Sequence, residues 1–214
     1  YYWPLLRSGA MNLQELKIYA DTERPIDARD LLNKWARLQP DDPMVRLGLL
    51  SHRDLNSDDV EILAELRDYV EQFPASITAQ MMLGRRLIEN GSAEFQKWHA
   101  ALPVTVERHP RYWLLRSRWY RRNGNLMAAA NCCWHALQLA PTSRVATSEL
   151  AQLLKALDHP RTEWMVGQTE RLYSLGEYLD TALASDDGDE LTMQAITQLM
   201  VDSGRYWEAA GWAV

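Results

Sequence analysis

The stretch that decides the fold is residues 111–141, RYWLLRSRWYRRNGNLMAAANCCWHALQLAP. It predicts two helices that fold back on each other at Asn123-Gly124-Asn125. Gly124 supplies the backbone angles that end the first helix, and Asn125 can cap the second. Pro141 ends the second helix, because proline one step past a helix end cannot continue it. The stretch therefore predicts a helical hairpin.

The two helices of this hairpin carry complementary faces. In the first, Trp113, Ser117 and Tyr120 recur at i, i+4 and i+7, which places them on one face. In the second, small side chains recur in the same way, at Ala129, Cys133, Ala136 and Ala140. Small side chains let two backbones approach closely, so we expect the aromatic face to be buried against the small-residue face.

These residues resemble the tetratricopeptide repeat (TPR) family. Counted back from the closing proline, the family's tryptophan, tyrosine, two alanines and proline fall at Trp113, Tyr120, Ala129, Ala136 and Pro141. The family's large apolar, glycine and second aromatic positions hold Arg116, Ser117 and Cys133 instead. The resemblance is best over residues 110–141. It implies stacked hairpins whose first helices line a concave groove where peptides bind.

Helical patterns that end in proline recur along the chain. They end at Pro40, Pro74, Pro110 and Pro141, at intervals of 34, 36 and 31 residues. An interval of this size holds one hairpin of two short helices, and alternating strand patterns are nearly absent. The sequence therefore predicts an all-α, right-handed solenoid of antiparallel TPR-like hairpins. We expect one domain over residues 1–214, with about eleven to thirteen helices.

Caps, glycines and prolines set the expected helix boundaries. Besides a helix that opens at Pro25 and the hairpin above, helices are expected over residues 12–20, 43–54, 57–73, 77–89, 93–109, 143–157, 162–175, 176–184, 191–202 and 205–214. Pro103 should bend or split its helix, because it removes a hydrogen bond and clashes with the preceding turn. The nine tryptophans are expected mainly as core wedges between hairpins.

Composition bounds the class of protein. Hydrophobic residues make up 47% of the chain and charged residues 24%, which is typical of a globular domain and excludes a disordered tail. No run of 18 apolar residues suggests a membrane helix. Cys132 and Cys133 are adjacent on a helix and point about 100° apart, so we expect no disulfide bond that stabilises the fold. Small core thiols in a reducing compartment are favoured over an adjacent-thiol metal or redox site.

The two ends of the sequence bear on where the protein is found. The chain begins without Met and ends inside a helical pattern. Both features indicate a fragment of a longer protein. The cytoplasm is the expected compartment, and a removed export signal stays open.

Charge is segregated along the chain. Residues 108–148 contain no Asp or Glu and seven arginines, at positions 108, 111, 116, 118, 121, 122 and 144. The other 173 residues carry 16 basic and 29 acidic side chains, a balance of −13. The net charge of −6 therefore hides a strongly basic segment.

The basic segment supplies the candidate binding residues. On the first helix of the hairpin, Arg111, Arg118 and Arg122 lie within about 40° of one another. Leu114 and Arg121 border this face, which is opposite Trp113 and Tyr120. The TPR resemblance places the face on the groove wall, with Arg85 in a similar place on the preceding hairpin. The predicted partner-binding residues are Arg85, Arg111, Leu114, Arg118, Arg121 and Arg122. Guanidinium groups bind carboxylates through forked hydrogen bonds, so the expected partner is an acidic peptide.

The favoured function is a non-catalytic protein-binding scaffold, and other interpretations stay open. The arginines could be merely solvated, or paired with carboxylates of neighbouring hairpins such as Asp68 and Glu71. The chain could be a helical accessory region of a larger enzyme, with this face docked on a neighbouring domain. Nucleic-acid binding through Arg108–Arg144 is disfavoured, because the surrounding −13 would repel phosphates.

Catalytic and metal-binding patterns are poor. The five histidines are scattered without ligand spacing, and there is no phosphate-binding glycine loop or nucleophile elbow. Residues 186–190 faintly resemble a calcium loop, but the twelfth position is Thr197 instead of the bidentate glutamate. We expect this loop to cap the helix that begins at Leu191. No catalytic residue, metal, cofactor or membrane contact is expected.

Overall fold

The protein is built from antiparallel α-helical hairpins. The computed structural model describes residues 25–56, 60–91, 94–184 and 190–212. The regular elements of these ranges are eleven α-helices and one 3-10 helix, with no β-strand. The all-α prediction is therefore confirmed for this part of the chain.

The chain divides into two compact units, Tyr1–Leu102 and Pro103–Val214. The helices of the first unit are α1 (Pro25–Leu38), α2 (Pro43–Asn56), α3 (Val60–Gln72), α4 (Ile77–Glu89) and α5 (Glu94–Ala101). Each helix packs against the next one in the chain. Ile62 and Leu66 of α3 are fully buried in the core of this unit. The hydroxyl of Tyr69 donates a hydrogen bond to the Pro43 carbonyl, 2.8 Å away, which ties α3 to the start of α2.

The second unit begins with a 3-10 helix, Val104–Arg108, and continues with six α-helices. These are α6 (Pro110–Arg122), α7 (Leu126–Leu139), α8 (Arg144–Ala156), α9 (Thr162–Ala184), α10 (Glu190–Asp202) and α11 (Tyr206–Trp212). Consecutive helices pack against each other here too. The main core lies between α6, α7, α8 and α9, around Cys133, Leu150 and Met165. A smaller core joins α9, α10 and α11 around Leu175 and Ile196.

The α6–α7 hairpin forms as the sequence predicts. Gly124 adopts φ +76° in the turn, and the Asn125 side chain accepts a hydrogen bond from the Ala128 N–H, 3.0 Å away. The small residues of α7 are sealed inside, since Ala129, Cys133 and Ala136 are fully buried. Across the interface Ser117 Oγ lies 3.0 Å from Cys133 Sγ. Trp113 and Tyr120 pack against the same core from its edge and are partly buried.

Pro103 splits the helix expected over residues 93–109. Helix α5 ends at Ala101, and the 3-10 helix Val104–Arg108 starts directly after the proline. Pro103 has no N–H to donate and adopts an extended conformation, with φ −66° and ψ 145°. It therefore ends one element and caps the next, as expected.

Helix α9 corrects the sequence analysis. It runs unbroken over Thr162–Ala184, whereas two helices were expected, over 162–175 and 176–184. The expected boundary falls at Gly176, but Leu172 and Leu175 before it are buried, and Leu179 after it packs on the smaller core. Apolar contacts on both sides of the glycine outweigh its cost of about 1 kcal/mol in a helix.

The tryptophans only partly follow the expectation of core wedges. Trp98 of α5 packs against Gly84 of α4 and so lies between the two helices. Trp134, Trp164 and Trp207 are instead 42%, 54% and 93% exposed. The expectation is therefore wrong for these three, which lie on the surface of the second unit.

Some predictions fall outside the described residues. These are the helix over 12–20, the helix start at Ser57, most of the acidic loop 186–190 and the last two residues of the chain. Among the helices of the described ranges, none is long and apolar enough to cross a bilayer.

Candidate interaction surface

Helix α6 is anchored through its aromatic side. Pro110 occupies its first turn, where a missing N–H costs nothing. The indole of Trp113 donates a hydrogen bond to the Glu107 carbonyl, 2.7 Å away. The same ring stacks on His135 of α7 with centroids 4.5 Å apart. These contacts fix the rotation of α6, and so decide which arginines reach the surface.

Arg116 is enclosed by the rings of its own helix. Its guanidinium lies 5.0 Å from the Trp113 ring and 5.7 Å from the rings of Tyr112 and Tyr120. It also donates a hydrogen bond to the Tyr120 hydroxyl, 3.2 Å away. Cation–π contacts of this kind stabilise the helix surface locally. Arg116 therefore serves the packing of α6 and is not part of the candidate surface.

Arg118 forms an ion pair with Glu149 of α8. Its Nε and Nη2 atoms both donate to the same carboxylate oxygen, at 2.9 and 2.8 Å. The Arg118 side chain is 41% exposed, whereas that of Glu149 is 17% exposed. One side of the guanidinium therefore remains open to solvent while the other is held by the carboxylate.

The remaining arginines of α6 lie at the surface. Arg111, Arg121 and Arg122 are exposed, and Arg111, Arg118 and Arg122 form one row along the helix, as the periodicity predicts. The row spans about 16 Å at 1.5 Å per residue. Together with Arg121 it gives a strip of positive charge, which we call the α6 arginine row.

Two of the predicted site residues have structural roles. Arg85 of α4 lies in the first unit and forms an ion pair with Asp54, whose side chain is 2% exposed. Leu114 is 9% exposed and belongs to the core cluster of the second unit. A ligand could touch very little of Leu114, so its expected place beneath the arginines is wrong. Leu114 precedes Arg118 by one turn but points inward, because it lies at the border between the two faces of α6.

Glu149 is a neighbour of the α6 arginine row that the sequence patterns did not predict. The segment 108–148 contains no acidic residue, and Glu149 is the first one after it. The ion pair joins residues 31 positions apart on two helices, which no local pattern reveals. The TPR resemblance alone indicated that α6 and α8 lie close together, because stacking brings the first helices of successive hairpins side by side.

The two cysteines are buried, and their thiols are unreactive at neutral pH. Burial raises the pKa of the Cys133 thiol to about 12 and also raises the pKa of Cys132. Both thiols therefore stay protonated at neutral pH, and a thiol is a poor nucleophile and metal ligand. Across the described residues, no three His, Cys, Asp or Glu side chains converge as a metal site would require.

Comparison with known proteins supports the fold and leaves the function open. No family model matches the sequence, and no curated protein matches it. A solved structure of a monomeric IFIT1 mutant with Gppp-AAAA is similar, with a TM-score of 0.50, 16% sequence identity and 88% of this chain covered. The chain spans less than half of that protein, 45% of its length. At this identity the likeness concerns the fold alone, and it agrees with a TPR-like helical repeat.

Proposed function

We propose that the protein is a non-catalytic interaction module that binds an extended acidic peptide along the α6 arginine row. The observation that carries the proposal is the row itself, in which Arg111, Arg121 and Arg122 are exposed and Arg118 is 41% exposed. These four side chains lie on a segment without a single carboxylate, in a chain whose other residues sum to −13. Arg85 and Leu114 are left out of the binding set because of their structural roles.

The chemistry of the row suits the carboxylates of an acidic peptide. A planar guanidinium donates two parallel hydrogen bonds to one carboxylate. Arginines about one and two turns apart can meet alternate side chains of an extended peptide. In this mechanism a carboxylate of the peptide binds the Arg118 guanidinium, either together with Glu149 or in its place. Sharing is the less costly of the two, because Glu149 is only 17% exposed and would lose its counter-charge if it were displaced.

A single-stranded nucleic acid is the competing ligand, and one observation makes it less suitable. Binding of that kind combines positive charge with aromatic rings on which bases stack. On α6 the ring of Tyr112 is 3% exposed, and Trp113 is already stacked on His135. Gppp-AAAA belongs to the IFIT1 structure, and at 16% identity it does not carry over to this chain.

The test is the double substitution Arg118→Glu and Arg122→Glu. A fluorescent peptide rich in Asp and Glu should bind the wild type, and its Asn/Gln counterpart should not. The double variant should weaken binding by more than about tenfold, because attraction is replaced by repulsion at two points. Helicity by circular dichroism and the melting temperature should change little. The matched control, called the α9 control, is Arg161→Glu in the turn before α9 with Arg171→Glu in α9, both at exposed positions, which changes the net charge equally.

Three outcomes would contradict the proposal. The first is undiminished binding by the α6 variant, and the second is equal loss in the α9 control. The third is preferential binding of an oligonucleotide that competes with the peptide and weakens steeply with salt.

The substitution Glu149→Gln tests the mechanism in the opposite direction. Glutamine keeps the size of the side chain and removes its charge, so the Arg118 guanidinium becomes available to the peptide. We expect affinity for the acidic peptide to rise by about two- to fivefold, the equivalent of up to 1 kcal/mol. Unchanged or weaker binding would show that Arg118 does not contact the ligand. Fluorescence anisotropy at low and moderate salt measures both variants.

A further inference from the structure

The outer face of α9 carries three carboxylates in a row. Glu163, Glu170 and Glu177 are exposed and follow one another at intervals of seven residues. Seven residues are nearly two helical turns, so the three side chains lie within about 40° of one another. They are opposite the buried side of the helix, which holds Met165 and Leu172. We call Glu163, Glu170 and Glu177 the α9 acidic row.

Within the described part of the chain, the carboxylates of this row have no ion-pair partner. Arg171 follows Glu170 directly, but it points about 100° away around the helix. Arg144 of α8 lies over the ring of Tyr173, 5.6 Å from its centroid, and does not pair with the row. The three negative charges are therefore available to the cations of a partner.

The α6 arginine row matches the α9 acidic row in sign and in spacing. Arg111 and Arg118 are also seven residues apart, which is about 10.5 Å along a helix. The same distance separates successive glutamates of the acidic row. The two rows extend over about 16 Å and about 21 Å. Two helices laid side by side can therefore form two ion pairs in a single register.

The two rows cannot meet within one molecule. Leu114 of α6 and Met165 of α9 belong to the same core cluster, so the core of the second unit lies between the two helices. Both rows face away from that core, as the exposure of their side chains shows. A contact between the rows therefore joins two copies of the chain.

We propose that the protein self-associates, with the α9 acidic row of one copy bound to the α6 arginine row of another. The inference rests on the proposed function, because it assigns a partner to the same arginines. Val166 and Tyr173 are 37% and 46% exposed along one edge of the acidic row and add apolar contact. Each copy carries both rows, so it can bind one neighbour through α6 and another through α9. A second copy and an acidic peptide then compete for α6, and self-association regulates access to the peptide site.

The contact is weak and sensitive to salt, because exposed ion pairs contribute little and are screened by ions. Sedimentation equilibrium from about 10 µM to about 1 mM protein covers the range of such affinities. At low salt the weight-average mass should rise above that of the monomer as the concentration increases. The rise should disappear at about 1 M salt, where the Debye length is about 3 Å. An excess of the acidic peptide at low salt should also lower the mass.

Charge reversal on each row tests which surfaces meet. Arg118→Glu with Arg122→Glu places carboxylates opposite carboxylates. Glu170→Lys with Glu177→Lys, the α9 lysine variant, places ammonium groups opposite guanidinium groups. Each variant alone should therefore remain monomeric. In an equimolar mixture the introduced glutamates meet the introduced lysines and the two unchanged rows meet each other, so the mass should rise again.

The matched control is Asp41→Lys with Glu71→Lys, at exposed positions of the first unit. It changes the net charge as much as the α9 lysine variant does and should associate as the wild type does. Circular dichroism checks that every variant keeps its helices. A wild type that stays monomeric at low salt would overturn the inference. An α9 lysine variant that associates like the wild type, or a mixture that remains monomeric, would overturn it too.

Peptide titrations keep this inference separate from the proposed function. They use dilute protein, below about 1 µM, at which the weak contact is not formed. The α9 lysine variant should bind the acidic peptide there as the wild type does. A wild type that fails to bind the peptide would contradict the proposed function, whereas the mixing experiment would still decide self-association. A peptide that binds without lowering the mass of concentrated wild type would overturn the shared use of α6.

Discussion

At the scale of the residue, Gly84 shows how closely two helices of this protein approach. A Cβ atom at this position would lie 2.3 Å from a ring carbon of Trp98. The ring cannot easily move aside, because its Nε1 donates to Gln80 at 2.9 Å and its face contacts Phe95 at 5.2 Å. The absence of a side chain is therefore what allows α4 and α5 to meet at this distance.

The substitution Gly84→Ala tests this contact. Alanine favours helix by about 1 kcal/mol over glycine, but overpacking against a fixed ring costs more, about 1–3 kcal/mol. We expect the free energy of unfolding to fall by up to about 2 kcal/mol in urea titrations. A more stable variant would show that Trp98 yields.

At the scale of the element, helix α9 contains a glycine whose surroundings are the opposite of those of Gly84. Gly167 lies inside this helix and has nothing within 4 Å of the position of a Cβ atom. With no clash to offset it, the gain in helix propensity stands alone.

Gly167→Ala should therefore raise the free energy of unfolding by about 0.5–1 kcal/mol. The same urea titrations measure it beside Gly84→Ala, and the two substitutions should have opposite signs. An increase for both variants would mean that propensity, and not packing, governs both positions, and a decrease for Gly167→Ala would contradict the prediction for α9.

Helices α2 and α4 are joined by the buried carboxylate of Asp54. Asp54 receives hydrogen bonds from Arg85 and, at 2.5 Å, from Arg86 Nε. Its backbone carbonyl accepts another from Arg86 Nη2 at 2.8 Å. The Arg86 side chain is only 12% exposed, and Asp54 is a closer counter-charge to it than Glu89, whose carboxylate is 3.8 Å away.

Asp54→Asn should destabilise the protein by about 2–3 kcal/mol, because two guanidinium groups lose their buried counter-charge and keep only the more distant, half-exposed carboxylate of Glu89. Asp68→Asn is the control. Asp68 pairs with Arg46 at 2.5 Å, but at the surface, so this change should leave the unfolding free energy nearly unchanged. Similar effects for both variants in chemical denaturation would contradict the argument.

At the scale of the whole molecule, burial of neutral thiol and phenol groups determines the response to alkali. Burial raises the pKa of Cys133 to about 12, and it also raises the pKa values of Tyr69 and Tyr112. In the unfolded chain a thiol titrates at about 8.5 and a phenol at about 10. Above those values the unfolded state loses protons first and gains stability relative to the fold.

The free energy of unfolding should therefore be constant near neutral pH and fall from about pH 9 towards pH 12. Cys133→Ala removes one of these groups, so its stability should decline less steeply over the same range. Urea titrations at several alkaline pH values measure both slopes. A wild-type stability that rises with pH, or parallel slopes for the two proteins, would contradict the assignment.

How much the sequence predicts depends on whether the deciding contacts are local. The α6–α7 hairpin follows from Gly124, Asn125 and the spacing of Ala129 and Cys133, all of which lie within a few turns of one another. The continuity of α9 at Gly176 depends on contacts with other helices. The same holds for the Arg118–Glu149 pair. Helical periodicity orders residues along one element, but it does not specify what a neighbouring element brings.

The burial of both native thiols has a practical consequence. Cys132 and Cys133 are 4% and 0% exposed, so maleimide reagents should leave the folded wild type unmodified. A single cysteine introduced on the exposed side of α6 would then carry a fluorophore or spin label at a known place. Occupancy of the arginine row could be followed directly, in a chain whose own sulfur atoms contribute no background.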